Sequence, residues 1–291
     1  MATIISNKIA DKGIGYNSST ITSEEVISFI ENNINRIIEE DKKLENPVFL
    51  LIGDGAISKL SYFLAGYVPR PVAVGIAGQS ASGKSTIAQD IIDSLVKFQE
   101  LQNLAPIITR INTDDYYYDR SKMVRAAGSF AEFAKKYDLD VPAAFELSLL
   151  KKHIKTLLSG KNVMLPKYDM SGTAKRYNDH TLARPNKMII TEGLYCLHDI
   201  INEVFDFCIY VHVSPDIQKN RWFERAEKRN ITGDAAQKVF DNVISKAEIH
   251  IKPTLKNAAI IINGEAKRQD YKETVDKFLN IIETLMLEKL I

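Results

Sequence analysis

The sequence has few cysteines and no pattern typical of a metal-binding or disulfide-bonded protein. Among 291 residues, only Cys196 and Cys208 are cysteines, and both stand in apolar contexts ("GLYCL" and "DFCIYV") without the spacing of metal ligands. We therefore expect two buried thiols rather than a disulfide or a zinc site. Such thiols suit a reducing compartment.

The sequence also lacks an excess of either charge and any long apolar run. Its 38 lysines and arginines balance 37 acidic residues to a net charge of +1, so the chain as a whole has no field that would collect nucleic acid or an anionic membrane. No apolar run approaches the ~18 residues of a membrane span, and the first residues lack the basic and apolar regions of a signal peptide. We expect a cytoplasmic protein that binds neither nucleic acid nor membrane, so any anion site must be local.

What the sequence does contain is an alternation of short apolar runs and helix-length segments from residue 71 onward. The runs are "VAVGIA", "PIITRIN", "MIIT", "DFCIYVHV" and "AAIIIN". Such alternation is typical of a parallel sheet with helices on both faces. The sequence therefore predicts an α/β fold whose mostly parallel five-stranded sheet lies in a domain over residues 71–291.

Residues 1–70 precede this pattern and predict a small, mainly helical N-terminal extension. In "TSEEVISFIENNINRIIEE" a Ser or Thr cap and early glutamates are followed by apolar residues at helical spacing. The run from Val48 to Ile52 is ambiguous between a short strand and the buried start of a helix. Pro69 and Pro71 mark the boundary with the second domain.

The first apolar run ends in a loop made almost wholly of Gly, Ser and Ala. "GQSASGKST" matches the pattern G-x-x-x-x-G-K-[ST], directly after a predicted strand and before a predicted helix. Small residues let the backbone curl around a polyphosphate and present N–H donors at the start of the helix. We therefore predict a site for the phosphates of a nucleoside triphosphate. Its residues are Gly78, Ser80, Ala81, Ser82, Gly83, Lys84, Ser85 and Thr86.

Two residues of this loop have specific predicted roles. Lys84 is expected to reach the β- and γ-phosphates, and the Ser85 hydroxyl is expected to ligate Mg²⁺. The loop predicts nucleotide binding but does not by itself identify the reaction, because switches, motors and small-molecule kinases share it.

Carboxylates follow two other predicted strands. "TDDYYYD" places Asp114 and Asp115 at the end of the second strand, at the sheet edge where such folds bind ligands. A carboxylate there can accept the proton of an acceptor hydroxyl in line with the γ-phosphate, and a helix cap or a solvated turn is the alternative. Glu192 ends the third run and suits Mg²⁺ or its water shell, with a capping carboxylate before Gly193 as the alternative.

A stripe of arginines follows the fourth run. Arg221, Arg225 and Arg229 recur every four residues, so they share one face of a predicted helix and could close over transferring phosphates. The interleaved Glu224 and Glu227 by themselves favour the other interpretation, a salt-bridged surface helix.

These segments together resemble the uridine kinase and phosphoribulokinase family of P-loop kinases, over residues from about Val72 to Asn263. Six motifs occur in the family's order, "GQSASGKST", "DDYY", "LDVPAAF", "PKYD", "TEG" and "RWFERAEKR". The resemblance implies a P-loop NTPase fold with a helical lid. It also implies a Mg²⁺-dependent kinase that moves the γ-phosphoryl group of ATP to a primary hydroxyl of a small-molecule acceptor.

The resemblance assigns roles to single residues. Asp114 matches the catalytic base, which also lies close to the metal, and Glu192 matches the carboxylate near Mg²⁺. On the acceptor side, Tyr117 matches an aromatic residue against the nucleoside base, Asp140 a carboxylate that holds ribose hydroxyls, and Tyr168 a further acceptor-site residue.

The lid arginines are matched in the same way. Arg225 matches an arginine that faces the phosphates, Arg229 is placed only approximately, and Arg221 is expected on the nucleotide side. With Asp114 and Lys84, the two arginines Arg225 and Arg229 form the implied catalytic set.

The sequence departs from the family pattern at several positions. Met170 stands at a Phe position, and Thr173 stands where uridine kinases have a His that reads the pyrimidine, so base recognition would fall to a hydroxyl. Trp222 replaces a second lid arginine. Lys175 and Arg176 keep a sugar-phosphate acceptor open.

The predicted function is therefore an ATP- and Mg²⁺-dependent kinase whose acceptor is a pyrimidine nucleoside such as uridine or cytidine. One alternative is a kinase of the same family with another acceptor, ribulose 5-phosphate or pantothenate. A second is a nucleotide-binding switch or partner-binding protein that phosphorylates no acceptor. Members of the family are often dimers or tetramers, so a homo-oligomer is expected by analogy alone.

Overall fold

The computed structural model describes residues 21–53 and 55–288, apart from the side chains of residues 179 and 180. The first 20 residues of the predicted extension and the last three of the chain lie outside this range. The strands are β1 (Phe49–Ile52), β2 (Val72–Gly78), β3 (Ile108–Asn112), β4 (Val163–Tyr168), β5 (Arg176–Ala183), β6 (Met188–Glu192), β7 (Phe207–His212) and β8 (Ile260–Asn263). The helices are α1 (Ser23–Asp41), α2 (Ala56–Leu64), α3 (Lys84–Leu101), α4 (Ser121–Ala127), α5 (Phe130–Ala134), α6 (Leu147–Leu158), α7 (Pro215–Glu227), α8 (Gly233–His250) and α9 (Arg268–Leu287).

The central sheet has the strand order β1-β8-β7-β2-β6-β3. Five strands, from β8 to β3, run parallel, as the apolar runs predicted. The sixth strand, β1, pairs with β8 in the antiparallel direction and comes from the N-terminal extension. This result resolves the ambiguous run at residues 48–52 as a strand. The central strand β2 is buried along its whole length because helices cover both faces of the sheet.

A second, two-stranded antiparallel sheet is formed by β4 and β5. The sequence analysis did not predict this hairpin. Pro166 lies in β4 where the pairing shifts register, because proline has no N–H to donate to a neighbouring strand. The segment "RYNDHTLA" of β5 is mostly polar and has no apolar periodicity. The hairpin is therefore fixed by its neighbours rather than by a local pattern.

The predicted N-terminal helix is present as α1. Thr22 and Glu25 form a reciprocal capping box at its start. Its apolar face packs against α2 and α9. The buried residues of this cluster are Val26, Ile30, Ile34, Ile37, Ile38, Leu64, Ala65, Ile281 and Leu285. The extension thus shares a core with the C-terminal helix, and the division of the chain at residue 70 stays a prediction.

The lid helix α7 ends earlier than the arginine spacing predicted. It stops at Glu227, and Asn230 follows with a φ of 59°. Asparagine tolerates this left-handed conformation, which ends helices. Arg229 therefore lies in the turn after α7, two residues beyond the end of the helix that carries Arg221 and Arg225. The two cysteines are free and buried, as predicted.

Candidate active site

The predicted phosphate-binding loop connects β2 to α3. Gly78 ends the strand, and Gly83 caps a helix that begins at Lys84. A Cβ atom at Gly78 would lie 2.7 Å from both the Ser82 hydroxyl oxygen and the Val211 carbonyl oxygen. Only glycine therefore allows this close approach. The first N–H groups of α3 have no partners within the helix, so the loop and helix start together form an anion-binding concavity.

The predicted loop residues Ser80 to Thr86 all lie in this connection or in the first turn of α3. Ala81 has a φ of 64°, which turns the chain at the tip of the loop. Ser82 is buried, and its hydroxyl has no hydrogen-bond partner among the described residues. Ser85 and Thr86 are exposed at the helix start. The local conformation thus agrees with the phosphate-binding prediction.

Lys84, Ser85, Glu192 and Asp114 lie together at the carboxyl edge of the sheet. The Ser85 hydroxyl donates a hydrogen bond of 3.0 Å to the Glu192 carboxylate. Glu192 pairs in register with Ile76 of β2, which brings the end of β6 next to the loop. Burial lowers the pKa of the Lys84 ammonium, while the nearby carboxylates of Glu192 and Asp114 oppose this shift. Opposite charges therefore face each other at the loop.

A hydroxyl and a carboxylate at hydrogen-bond distance are a fitting donor set for a hard divalent cation. Mg²⁺ takes oxygen ligands and is usually held by one or two carboxylates plus the substrate phosphates. Ser85 and Glu192 could hold such an ion, and Asp114 lies within electrostatic reach of Glu192. Arg110, which the sequence analysis did not single out, lies 3.7 Å from the second oxygen of Glu192.

Asp114 lies on a short 3-10 helix that directly follows β3. The Asn112 side-chain oxygen accepts a 3.0 Å hydrogen bond from the Asp114 backbone N–H. Burial raises the pKa of the Asp114 carboxyl, the Lys84 ammonium lowers it, and Glu192 raises it further. A buried carboxylate with a raised pKa is a stronger base than a solvated one.

Asp115 has a different place from its neighbour. Its carboxylate accepts a 3.0 Å hydrogen bond from the Tyr168 backbone N–H. This bond ties the β4–β5 hairpin to the turn that carries Asp114. Of the two adjacent aspartates, Asp114 faces Lys84 and Asp115 is structural.

The predicted acceptor residues Tyr117 and Tyr168 meet in an aromatic cluster. The Tyr117 ring lies 3.9 Å from the Phe145 ring and 5.0 Å from the Tyr168 ring, measured between centroids. Tyr195 packs against Phe145 at 5.1 Å. The sequence analysis assigned no role to Phe145 or Tyr195, although Phe145 closes the motif "LDVPAAF" and Tyr195 follows "TEG". Their positions at the ends of these motifs were the available signal.

Asp140 lies between this cluster and the lid. Burial and the neighbouring Asp138 raise the pKa of the Asp140 carboxyl, and the cations Arg225, Lys246 and Lys84 lower it. Lys246 of α8 also forms a 2.6 Å ion pair with Asp138. The structure thus brings Asp140 within electrostatic reach of both the loop lysine and the lid.

The lid helix α7 is bound to the phosphate-binding loop. Arg225 donates a 2.5 Å hydrogen bond from Nη2 to the Ser80 hydroxyl oxygen. Gln218 donates from Nε2 to the Ser80 carbonyl oxygen at 2.9 Å and to Gln79 Oε1 at 3.0 Å. Gln218 could not be identified from the sequence, because a single glutamine in a polar helix carries no motif.

The arginine contacts favour the phosphate-facing interpretation over the surface-helix alternative. Burial and the neighbouring Arg229 lower the pKa of Arg225, while Asp140 and Asp114 raise it. Arg225 therefore points towards the predicted catalytic residues, with Arg229 beside it. Arg221 donates a 2.8 Å hydrogen bond to the Gly264 carbonyl oxygen, on the side of the loop away from the acceptor residues.

Trp222 packs inside the lid rather than against a bound base. Its ring lies 5.2 Å from Phe223 and 5.3 Å from Phe240 between centroids. The cluster also includes Ala81 at the tip of the phosphate-binding loop. Trp222 thus anchors the lid helices to each other and to the loop.

Thr173 lies in the turn of the β4–β5 hairpin and is exposed. Its hydroxyl donates a 2.5 Å hydrogen bond to the Asp169 carboxylate and accepts a 3.3 Å bond from the Lys175 backbone N–H. Hydrogen bonds from Ser171 and Thr173 lower the pKa of Asp169 to about 2. These contacts lie within the turn, and the base-reading role of Thr173 stays a prediction.

The two basic residues after the hairpin turn, Lys175 and Arg176, both contact other side chains of the protein. Arg176 forms a 2.6 Å ion pair with Glu146, and both side chains are largely buried. The Lys175 ammonium lies 4.2 Å from the centroid of the Tyr177 ring.

Comparison with known proteins agrees with this geometry. Residues 73–269 match the model of the phosphoribulokinase / uridine kinase family. The uridine kinase of Halobacterium salinarum is 34% identical over 195 residues, which is 65% of this chain and 79% of that protein. The uridine kinase of Halalkalibacterium halodurans is 31% identical over 218 residues, which is 74% of this chain and 96% of that protein. The chain therefore belongs to the phosphoribulokinase / uridine kinase family, and it is an ATP-using kinase with a hydroxyl acceptor.

Proposed function

We propose that this kinase transfers the γ-phosphoryl group of ATP, with Mg²⁺, to the 5′-hydroxyl of a pyrimidine nucleoside such as uridine or cytidine. The observation that carries the proposal is that Asp114, on the short helix that directly follows β3, lies within electrostatic reach both of Lys84 in the phosphate-binding loop and of Tyr117 and Asp140 on the acceptor side. The relatives named uridine kinase support the choice of acceptor.

Positioning and charge account for the chemistry in this proposal. Asp114 accepts the proton of the acceptor hydroxyl, and its raised pKa strengthens it as a base. Lys84 and Arg225 place positive charge where negative charge develops on the transferring phosphoryl group. Mg²⁺, held by Ser85 and Glu192 when bound, neutralises phosphate charge.

The acceptor residues suit a nucleoside by two kinds of group. The rings of Tyr117, Phe145 and Tyr168 form an aromatic cluster against which a base could pack. The Asp140 carboxylate can accept hydrogen bonds from two ribose hydroxyls. A planar base joined to a diol therefore matches the chemistry of these residues.

The alternative of a sugar-phosphate acceptor depended on Lys175 and Arg176, and neither residue supports it. Arg176 is paired with Glu146, and Lys175 lies over the Tyr177 ring. The switch alternative is disfavoured by family membership and by the acceptor cluster itself, which a switch would not need. Three further expectations stay predictions: a cytoplasmic location, the absence of nucleic-acid and membrane partners, and a homo-oligomeric state. No helix in the described ranges is long and apolar enough to cross a membrane.

A coupled ADP-release assay with Mg·ATP tests the proposal. Uridine, cytidine, ribulose 5-phosphate and pantothenate are compared as acceptors, with a control that contains none. We expect turnover with uridine or cytidine well above the control. Turnover with another acceptor alone would reject the nucleoside and keep the kinase mechanism, and ATP hydrolysis independent of any acceptor would reject both.

A further inference from the structure

The turn after β8, residues 264–266, packs beside the phosphate-binding loop. A Cβ atom at Gly264 would lie 2.3 Å from the Ser82 carbonyl oxygen and 2.8 Å from the His212 carbonyl oxygen, so the turn can pack this closely only with glycine. The Gly264 N–H donates to the His212 carbonyl oxygen at 2.6 Å. Its own carbonyl accepts the 2.8 Å hydrogen bond from Arg221. The backbone of Gly264 is therefore held between the loop and the lid.

A single buried side chain, Asn263, supports this turn from the other side. Its Oδ1 atom accepts a 3.0 Å hydrogen bond from the Glu265 backbone N–H. Its Nδ2 atom donates a 3.0 Å bond to the Pro47 carbonyl oxygen, and its backbone N–H donates a 2.9 Å bond to the Val48 carbonyl oxygen. Asn263 is only 8% exposed. It thus joins the turn directly to the N-terminal extension.

The part of the extension that Asn263 contacts is itself fixed. Asp41 is the last residue of α1, and its carboxylate accepts hydrogen bonds from the backbone N–H groups of Val48 at 2.8 Å and Phe49 at 2.9 Å. Asp41 is buried. A carboxylate with two backbone donors makes strong, charge-assisted hydrogen bonds. The end of α1 therefore sets the position of the carbonyl groups that hold Asn263.

The turn also reaches the start of the lid helix. Glu265 Oε1 accepts a 2.6 Å hydrogen bond from the backbone N–H of Ser214, the residue that caps α7. The position of α7 in turn sets the positions of Arg221 and Arg225. Hydrogen bonds thus lead from Asp41 through Val48 and Asn263 to the lid helix, and the same turn packs closely against Ser82 of the phosphate-binding loop.

We infer that residues 41–49 of the extension position the donor-nucleotide side of the active site, with Asn263 as the positioning residue that acts through Gly264 and Glu265. The inference rests on the proposed role of the loop in binding ATP. It gives a role to a segment that lies outside residues 73–269, the part of the chain that matches the family model. Because the contacts reach the loop and the lid from the donor side, their loss is expected to change ATP affinity and to leave acceptor affinity unaltered.

The test compares Asn263→Ala with the unaltered protein, and it does not require the acceptor to be known. The dissociation constant of a non-hydrolysable ATP analogue is measured by calorimetry on the full chain without acceptor. Removal of both side-chain hydrogen bonds is expected to weaken binding by about tenfold. With an acceptor present, the KM for ATP is expected to rise by about the same factor, while the acceptor KM changes by less than about twofold.

A second variant and a control keep the test decisive. Asp41→Asn retains the size of the side chain and weakens the charge-assisted bonds, and we expect a loss of ATP affinity of about threefold. Lys277→Ala removes the exposed 2.9 Å ion pair with Glu40, which joins the same end of α1 to α9 outside the series. This control is expected to leave ATP affinity unaltered.

Two outcomes would overturn the inference. One is a lower thermal midpoint in Asn263→Ala and Asp41→Asn with unaltered ATP binding, which would make the segment a stabilising element only. The other is an equal loss of affinity for ATP and for the acceptor. If Asn263→Ala does not fold, Asp41→Asn decides. If the unaltered protein binds the ATP analogue but phosphorylates no nucleoside, the proposed function fails and the inference is still tested.

Discussion

The predicted donor side of the site is one continuous stretch of chain, residues 78–86, whereas the predicted acceptor side gathers side chains from three separated segments. The donor loop works through its backbone, which must turn tightly and present N–H groups. In the proposed function the acceptor side works through side chains from different elements, chiefly Asp114, Tyr117, Asp140 and Tyr168. A motif can therefore identify the donor, while the identity of the acceptor depends on tertiary contacts.

The largest expected effect is at the point where the two sides meet. Asp114→Asn keeps the size of the side chain and removes the base, so kcat is expected to fall at least about 100-fold. Binding of ATP, measured without acceptor, is expected to remain within about twofold, because Lys84 and the loop are intact.

Asp115→Asn provides the matched control for this variant. The amide oxygen can still accept the hydrogen bond from the Tyr168 backbone N–H, so turnover is expected to remain close to that of the unaltered protein. Similar kcat values for Asp114→Asn and the unaltered enzyme would contradict the role assigned to Asp114.

The next effect concerns the donor side alone. In Gly78→Ala the new methyl group meets the Ser82 hydroxyl and the Val211 carbonyl at 2.7 Å, so the loop backbone must move. Such overpacking costs about 1–3 kcal/mol, and we expect ATP affinity to fall by about tenfold or more. Acceptor affinity, measured with saturating ATP, is expected to be unaltered. An equal loss of affinity for ATP and for the acceptor would show that the donor and acceptor sides are not independent.

The conformation of the phosphate-binding loop could be predicted from the sequence because its determinants are local. The loop motif, the buried run of β2 and the start of α3 at Lys84 follow one another along the chain, and each agrees with the structure. The order of the apolar runs predicted the five parallel strands for the same reason. The end of α7 was wrong by two residues, because periodicity alone does not show where a left-handed residue such as Asn230 stops a helix.

The acceptor side was harder to predict from the sequence, because the residues that position it are far apart along the chain. Pro166 and the polar β5 concealed the hairpin, although the bond from Tyr168 to Asp115 holds it against the site. On either side of the site, single contacts without a motif were also missed: Gln218 binds the phosphate-binding loop, and Lys246 pairs with Asp138. In the sequence, Asn263 likewise looks like the end of an ordinary strand. Only the fold shows that its side chain donates a hydrogen bond to the Pro47 carbonyl oxygen.

Loss of the ion pair between Lys246 and Asp138, on the acceptor side, is expected to have a smaller effect on catalysis. Lys246→Met removes the 2.6 Å contact with Asp138 and leaves this carboxylate uncompensated beside Asp140. Because Lys246 lowers the pKa of Asp140, its loss disfavours the charged form of Asp140. The nucleoside KM is expected to rise by about three- to tenfold at unaltered ATP affinity.

Two variants accompany Lys246→Met. Lys252→Met removes an exposed ion pair with Glu248 near the end of the same helix and is expected to have no effect on the nucleoside KM. Adding Asp138→Asn to Lys246→Met removes the uncompensated charge and is expected to restore part of the lost affinity. A KM that stays low in Lys246→Met, or a double variant worse than the single one, would argue against this electrostatic role.

The smallest expected effect is from substitution of Thr173, on the acceptor side. The backbone of the donor loop is closely packed at Gly78, whereas the Thr173 hydroxyl is exposed and already donates a hydrogen bond to Asp169 within its own turn. A hydroxyl engaged in this way has little free energy to gain from a base, so Thr173→Val is expected to raise the nucleoside KM by no more than about threefold. Thr173→Ser retains the hydroxyl and serves as the control. A rise of tenfold or more in the valine variant, reversed in the serine variant, would show that the turn opens to read the base and that acceptor specificity lies in the hairpin rather than in the aromatic cluster.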